Sequence, residues 1–277
     1  MSLLARLERY YDAVPRLHAS VEEVGPFTLF IGRPGGWPYY ARPQLGGKTI
    51  IALADVALVL AKMRELQIPT SIEWVHETTP TLLDAVGGEG SLQPQEVPLM
   101  VLELPISVEA PANIEIRLLR PSDRDLLAGS QAVQQVGFAV RGTAIGVEGA
   151  AERDSALKAP TAQEQEMLAN GAIRIAVAMN DTGQVLATGR HIPIGDVTEV
   201  VGVATLPSMR RRGLGAAITA ALVDDARANE IKPVFLTAGS EEIARVYSRI
   251  GFSRVATGYV AERRGFEPIG HIGTKTP

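Results

Sequence analysis

The sequence predicts an α/β protein of two domains, on three observations. Strand-like and helix-like hydrophobic patterns alternate along the chain. The pattern loosens around "ISVEAPANIE" (106–115), which places a domain boundary near residue 108 and gives domains of 1–108 and 109–277. A buried strand near 198–206 then runs directly into "SMRRRGLGAA" (208–217), a glycine-rich turn that opens a helix.

Composition narrows the function classes. With 277 residues, 46% hydrophobic and 21% charged, the chain has the make-up of a globular protein able to bury a core in each domain. Its net charge of −4 argues against nucleic acid as a partner, because a polyanion selects a basic surface. There is no cysteine, so disulfides, thiolate metal sites and a cysteine nucleophile are excluded. No apolar run approaches a membrane span, and "MSLLARLERYYDAV" carries charge every few residues, so no membrane partner and a cytoplasmic location are expected.

In the first domain "LLARLERYYDAV" has helical spacing and "FTLFIG" (27–32) reads as a strand. "GRPGGWP" is a turn cluster, 52–67 the clearest helix and "TSIEWV" (70–75) a buried strand. "TPTLLDAVGG" is a short helix stopped by glycine, and 96–105 a strand. The second domain starts with a strand over 114–119 and a helix for which Ser122 and Asp125 form a capping box. "TAQEQEMLANG" gives a short helix, and "AIRIAVAM" and "QVLATGRHIPI" form a hairpin across "NDTG". Beyond the helix over 214–228 come a strand (234–238), a helix (241–250) and a pair of strands from Gly251 to about Glu262. The tail from Arg263 is polar and loosely held. Both halves share a rhythm of strand, turn, long helix, strand, short helix, strand, which suggests a degenerate repeat.

The arginine-glycine stretch carries the chemistry. A run of arginines is usually a solvated face, and Gly213 could simply ease a turn. The setting favours more: after a buried strand and at a helix start, backbone amides and the positive dipole end face an anion. Glycines let those amides close on phosphate oxygens, and guanidinium groups add charge-assisted hydrogen bonds, so a pyrophosphate fits. A dinucleotide fingerprint would need a third glycine, and a Walker loop would need lysine and a hydroxyl where Ala216 and Ala217 stand. "GGKT" (46–49) lacks the leading Walker glycine, since position 42 is Arg42, and reads as a turn.

Residues 113–262 resemble the GNAT superfamily of acetyl-CoA-dependent N-acyltransferases. The resemblance rests on "VVGVATLP", on Arg210-Arg211-Arg212-Gly213-Leu214-Gly215-Ala216 matching Gln/Arg-x-x-Gly-x-Gly/Ala, and on "VYSRIGF" (246–252) matching Tyr-x-x-x-Gly-Phe. It implies a mixed, mostly antiparallel twisted sheet flanked by helices, preceded by a smaller α/β domain; the first hundred residues match no family motif, and the shared rhythm reads them as a shortened, degenerate second copy without the phosphate loop. It also implies that Arg210 to Ala216 wrap the pyrophosphate of acetyl-CoA, and that Val203, Ala204 and Thr205 bond the pantetheine arm through their backbones. A bulge would splay their strand from "VFLTA" to make the slot. Where the family often has an asparagine, about six residues before the tyrosine, this chain has Glu241.

Acetyl transfer to an amine needs a base, an oxyanion donor and a proton for the departing thiolate. A backbone N–H near Val203 would serve the oxyanion. The family's tyrosine maps to Tyr247 as the acid, against a reading as core on the stripe Ile243, Tyr247, Ile250. Glu199, eleven residues before Arg210 as in the histone-modifying branch, is the candidate base, with a water chain or a solvated edge role as alternatives. His191 reads as a satisfied structural histidine rather than an acceptor-pocket residue, and "HETTP" from His76 lacks the second histidine of a zinc motif, so no metal site is expected. The expected activity is N-acetyl transfer by direct attack in a ternary complex, onto a small-molecule or peptide amine, with a homodimer left open. The alternative is a non-catalytic acyl-CoA sensor or scaffold.

Overall fold

The computed structural model describes residues 1–32, 39–47, 50–106 and 108–263. Most of the "GRPGGWP" cluster, Lys48 and Thr49 of "GGKT", and the tail beyond Arg263 lie outside the described residues. The chain groups into two compact units, Met1–Leu99 with the segment from Arg254, and Met100–Ser253. No helix among the described residues is long and apolar enough to cross a membrane.

The first unit starts with helix α1 (Leu3–Arg16), which Ser2 caps by accepting from the Ala5 amide at 3.3 Å. Its inner stripe of Leu7, Tyr10 and Tyr11 is buried. Strands β1 (Ser20–Val24), β2 (Phe27–Ile31) and β3 (Ala41–Pro43) form an antiparallel meander. Helix α2 (Leu53–Glu65) then crosses to β4 (Ser71–Val75), which pairs parallel to β3. Helix α3 (Leu82–Glu89) and strand β5 (Leu92–Leu102) follow. The end of the chain completes this unit: β11 (Phe252–Arg263) runs antiparallel to β4, with Gly258 opposite Val75 and Glu262 opposite Ser71. Tyr259 thereby stacks on Trp74, ring centroids 5.0 Å apart, against a core of Phe27, Leu29, Val59, Leu60 and Ile72. The expected closing pair of strands is thus a single 12-residue strand.

The second unit has the same pattern at greater length. After β6 (Glu115–Leu118) come helices α4 (Arg124–Ala139), α5 (Ala150–Ala156) and α6 (Ala162–Ala169). The α4 cap differs from expectation. Asp123, not Ser122, holds the N-cap position, and its carboxylate accepts from the Arg120 amide at 2.8 Å. Strands β7 (Arg174–Met179), β8 (Val185–Ile194) and β9 (Val197–Thr205) form an antiparallel meander with β6 at its edge. Helix α7 (Leu214–Ala228) crosses to β10 (Val234–Thr237), parallel to β9, and α8 (Glu241–Ser248) follows.

Two helices sandwich this sheet. Thr188 of β8 bonds Ser130 of α4, while the adjacent Gly189 lies against Ile218 and Leu222 of α7, so α4 and α7 cover opposite faces. One irregularity breaks the meander. Arg190 pairs with Val201 and Thr188 with Ala204, so Gly189 faces two residues, Gly202 and Val203. Gly202 sits at φ +64°, and a Cβ there would lie 2.6 Å from Nε2 of Gln134. Gly202→Ala combines a left-handed backbone penalty with overpacking, and should cost about 2–5 kcal/mol in chemical denaturation. A variant as stable as the wild type would contradict this account of the bulge.

Candidate active site

The bulge changes what β9 can pair with. Its parallel ladder with β10 registers only Val234 with Thr198 and Phe235 with Glu199, although β9 continues to Thr205 and β10 to Thr237. Beyond Glu199 and Phe235 no registered rung joins the two strands, the condition for them to splay into a V. Val203 and Thr205 face the α7 side of the diverging arm: a Cβ at Gly215 would lie 3.8 Å from Val203 Cγ1 and 3.9 Å from Thr205 Oγ1. Ala204 is buried toward α4.

At the end of that arm a 3-10 turn (Pro207–Met209) leads into the loop at the start of α7. Arg211 at φ +60° and Gly213 at φ +80° turn the chain so that Leu214, Gly215 and Ala216 open the helix. No side chain caps this helix and its first turn holds no acid, so the amides there have no carboxylate competing for them. Arg211 and Arg212 are exposed beside it. Arg210 is placed differently. Its Nη2 donates to the carbonyls of Gly137 and Val140, each at 2.7 Å, and Nη1 donates to Ala144 at 3.2 Å. Its guanidinium thus closes the C-terminal end of α4, where a cation is favoured. The Ser208 amide also donates to the Glu148 carbonyl, so the segment after α4 is tied to the loop before α7 at several points.

Two ionisable side chains flank the V from opposite faces. Glu199 stands at its vertex, on the last rung shared with β10, and is 6% exposed. Alternation along β8 and β9 puts it on the α4 face with Ile192 and Arg190, and Thr237 Oγ1 donates to its carboxylate at 3.2 Å. It is not a solvated edge residue. Tyr247 is on α8, its ring edge-on to Phe252 with centroids 5.9 Å apart. Part of the ring is exposed, but the phenol end is enclosed, and burial pushes its pKa up to about 12. The hydroxyl is hydrogen-bonded to Thr219, whose own hydroxyl donates to Gly215 at 2.8 Å. That chain of contacts brings the phenol to the first turns of α7, whose Gly215 lies close to Val203 and Thr205. Glu241 is the exposed first residue of α8.

Residues 148–252 match the acetyltransferase (GNAT) family. This segment carries the sequence pattern of a GNAT acetyltransferase domain. Solved structures extend the likeness in fold. A GCN5-related N-acetyltransferase from Kribbella flavida superposes with a TM-score of 0.69 at 23% identity, over 96% of this chain and 97% of its own. A GCN5-related N-acetyltransferase-like protein from Streptococcus suis gives 0.56 at 15% identity, over 94% and 97%. A tandem GNAT protein from the clavulanic acid biosynthesis pathway gives 0.56 at 16% identity, over 86% and 79%, in keeping with two units of like topology. No curated protein matches the sequence.

His191 does not reach the V of the GNAT domain. It lies on the α7 face, fully buried, with Nδ1 2.8 Å from Thr198 Oγ1 and Nε2 2.9 Å from Asp225, which Arg174 also holds. Burial pulls the imidazole below its ordinary 6.5, against the opposing pull of Asp225. The folded state therefore binds fewer protons than the unfolded chain between the lowered value and 6.5. This contribution is complete above that window and lost as pH falls through it. The melting temperature should drop between pH 7 and 5, and His191→Gln should flatten the drop. An unchanged pH slope in the variant would show that acid sensitivity arises elsewhere.

Proposed function

We propose that the GNAT domain transfers the acetyl group of acetyl-CoA directly to an amine, in a ternary complex, with the cofactor lying in the V between β9 and β10. The observation that carries this reading is the parallel ladder that stops at Glu199 while β9 runs on into an uncapped helix start. Bound acetyl-CoA supplies the activated acyl group as a thioester. The amides of Arg211 to Ala216 hold its pyrophosphate, helped by the guanidinium groups of Arg211 and Arg212, while Arg210 contributes backbone only. Val203, Ala204 and Thr205 line the pantetheine arm.

The amine must lose one proton and the departing sulfur must gain one. Glu199, on the α4 face at the vertex, takes the amine proton. The Val203 N–H faces the thioester oxygen. Tyr247 keeps its proton throughout the working pH range, since its pKa is about 12. Against a thiol near 8.5, full transfer from that phenol would run uphill by roughly 5 kcal/mol. Tyr247 therefore acts as a hydrogen-bond donor to the developing thiolate, which leaves as such and takes its proton from water. A hydrogen bond to a charged group is worth about 1.5–3 kcal/mol, or roughly 10- to 150-fold in rate.

The first unit has the corresponding crossover but a different helix start. At α2 the Asp55 carboxylate accepts from the Ala52 amide at 2.9 Å, placing a negative charge where a phosphate would go. One acetyl-CoA per chain should therefore bind, and it should raise the melting temperature with concentration. At Gly213 a Cβ would meet nothing nearer than Pro111 at 3.9 Å, so Gly213→Ala costs stability only through its φ of +80°. Titration calorimetry should show one equivalent for the wild type and at least tenfold weaker binding for Gly213→Ala. Two equivalents, or undiminished affinity in the variant, would overturn the loop assignment.

A mass-spectrometric screen of small amines and peptides supplies the acceptor. With it, Tyr247→Phe should lower kcat about 10- to 150-fold at nearly constant acetyl-CoA affinity, and the wild type should show no tyrosine-linked fall in rate until pH nears 12. An unchanged kcat would leave the tyrosine a packing residue. Normal binding without transfer to any amine would favour a non-catalytic acyl-CoA sensor.

A further inference from the structure

A buried polar pair lies under the bulge with no part in the chemistry above. Gln134 of α4, 5% exposed, donates from Nε2 to the Gly202 carbonyl at 3.0 Å. Arg190 of β8, 2% exposed, donates from Nη2 to Gln134 Oε1 at 2.8 Å, while its Nε has no partner among the described residues. Burial pulls the guanidinium pKa down to about 10, so it stays charged at neutral pH. A buried cation hydrogen-bonded to a neutral amide, with the Glu164 carboxylate offsetting only part of its desolvation, is costly.

We propose that Gln134 and Arg190 are positioning residues for acetyl transfer, which fix the orientation of the Gly202–Val203 peptide and so aim the Val203 N–H. The inference rests on the proposed role of that N–H. A carbonyl and the next amide lie antiparallel in one plane. With the Gly202 oxygen held toward α4, the Val203 N–H is turned away from α4. A glutamine amide can present either its oxygen or its nitrogen. Arg190 decides which: with Oε1 fixed on a cation, only Nε2 can face Gly202. A flipped amide would set two oxygens against each other and release the peptide. Glycine at 202 completes the arrangement, because any side chain would displace Gln134.

Gln134→Glu tests this with little change of shape. It keeps the contact to Arg190 and replaces the donor facing Gly202 with an acceptor. Gln134→Met, which removes both, is the second variant. Each folded variant should lose at least tenfold in kcat while its acetyl-CoA Kd stays within threefold. An unchanged kcat in either folded variant, or a loss confined to Kd, would overturn the proposal. Nuclear magnetic resonance of the wild type serves even if neither variant folds. The Gln134 side-chain amide and the Val203 backbone amide should both shift when acetyl-CoA replaces CoA. A moving Val203 with an unmoved Gln134 would overturn the positioning role and leave the proposed function intact. An unmoved Val203 would remove the oxyanion role and the inference with it.

Discussion

The site depends on the short ladder between β9 and β10. Two parallel strands joined by a crossover helix would ordinarily stay paired along their common length. Here Gly202, in a left-handed conformation, inserts an extra residue opposite Gly189 and turns β9 after two registered pairs. The bulge also shifts alternation, so that Glu199 and Val201 face α4 whereas Val203 and Thr205 face α7. One conformational irregularity thus ends the shared ladder and sends the far arm of β9 to the start of α7. Sheets accept such a kink at the expense of ladder hydrogen bonds, and helices packed on both faces keep the rest of the meander in register.

Electrostatics then distinguish the two crossovers. Both units send a strand through a turn into a helix, but only α7 starts without a carboxylate in its first turn. In α2 Asp55 already occupies that place, an ordinary capping arrangement that stabilises a helix and excludes an anion. The arginine triplet divides its labour. Arg210 closes the C-terminal end of α4, and Arg211 and Arg212 remain exposed at the N-terminal end of α7. Self-repulsion within the triplet is relieved because one member faces carbonyls rather than solvent.

Much of this was legible in the sequence because it is local. Helix α7 spans Leu214–Ala228, the residues its periodicity marked, and β9 runs into the glycine-rich turn as read. Long elements with strong periodicity announce themselves. The three-residue β3 and the seven-residue α5 are too short to show a period. The closing segment is one strand rather than two: Gly258 sits mid-run, and its pairing opposite Val75 carries the strand through. Ser122 looked like a cap because its residue type favours one, but Asp123 competes for the same turn. Gln134 and the α4 partners of Arg210 left no local mark, since their contacts are with residues more than fifty positions away. For Arg190 the only available signal was a charged residue inside the apolar-patterned run "QVLATGRHIPI".

The central claim is that the V between β9 and β10 is the acyl-CoA slot. A crystal structure of the protein with CoA tests it most directly. The account predicts the pyrophosphate on the amides between Arg211 and Ala216, the pantetheine arm between Val203–Thr205 and the end of β10, and the sulfur within hydrogen-bond reach of the Tyr247 hydroxyl. CoA bound outside the V, or with its pyrophosphate at the start of α2, would contradict it.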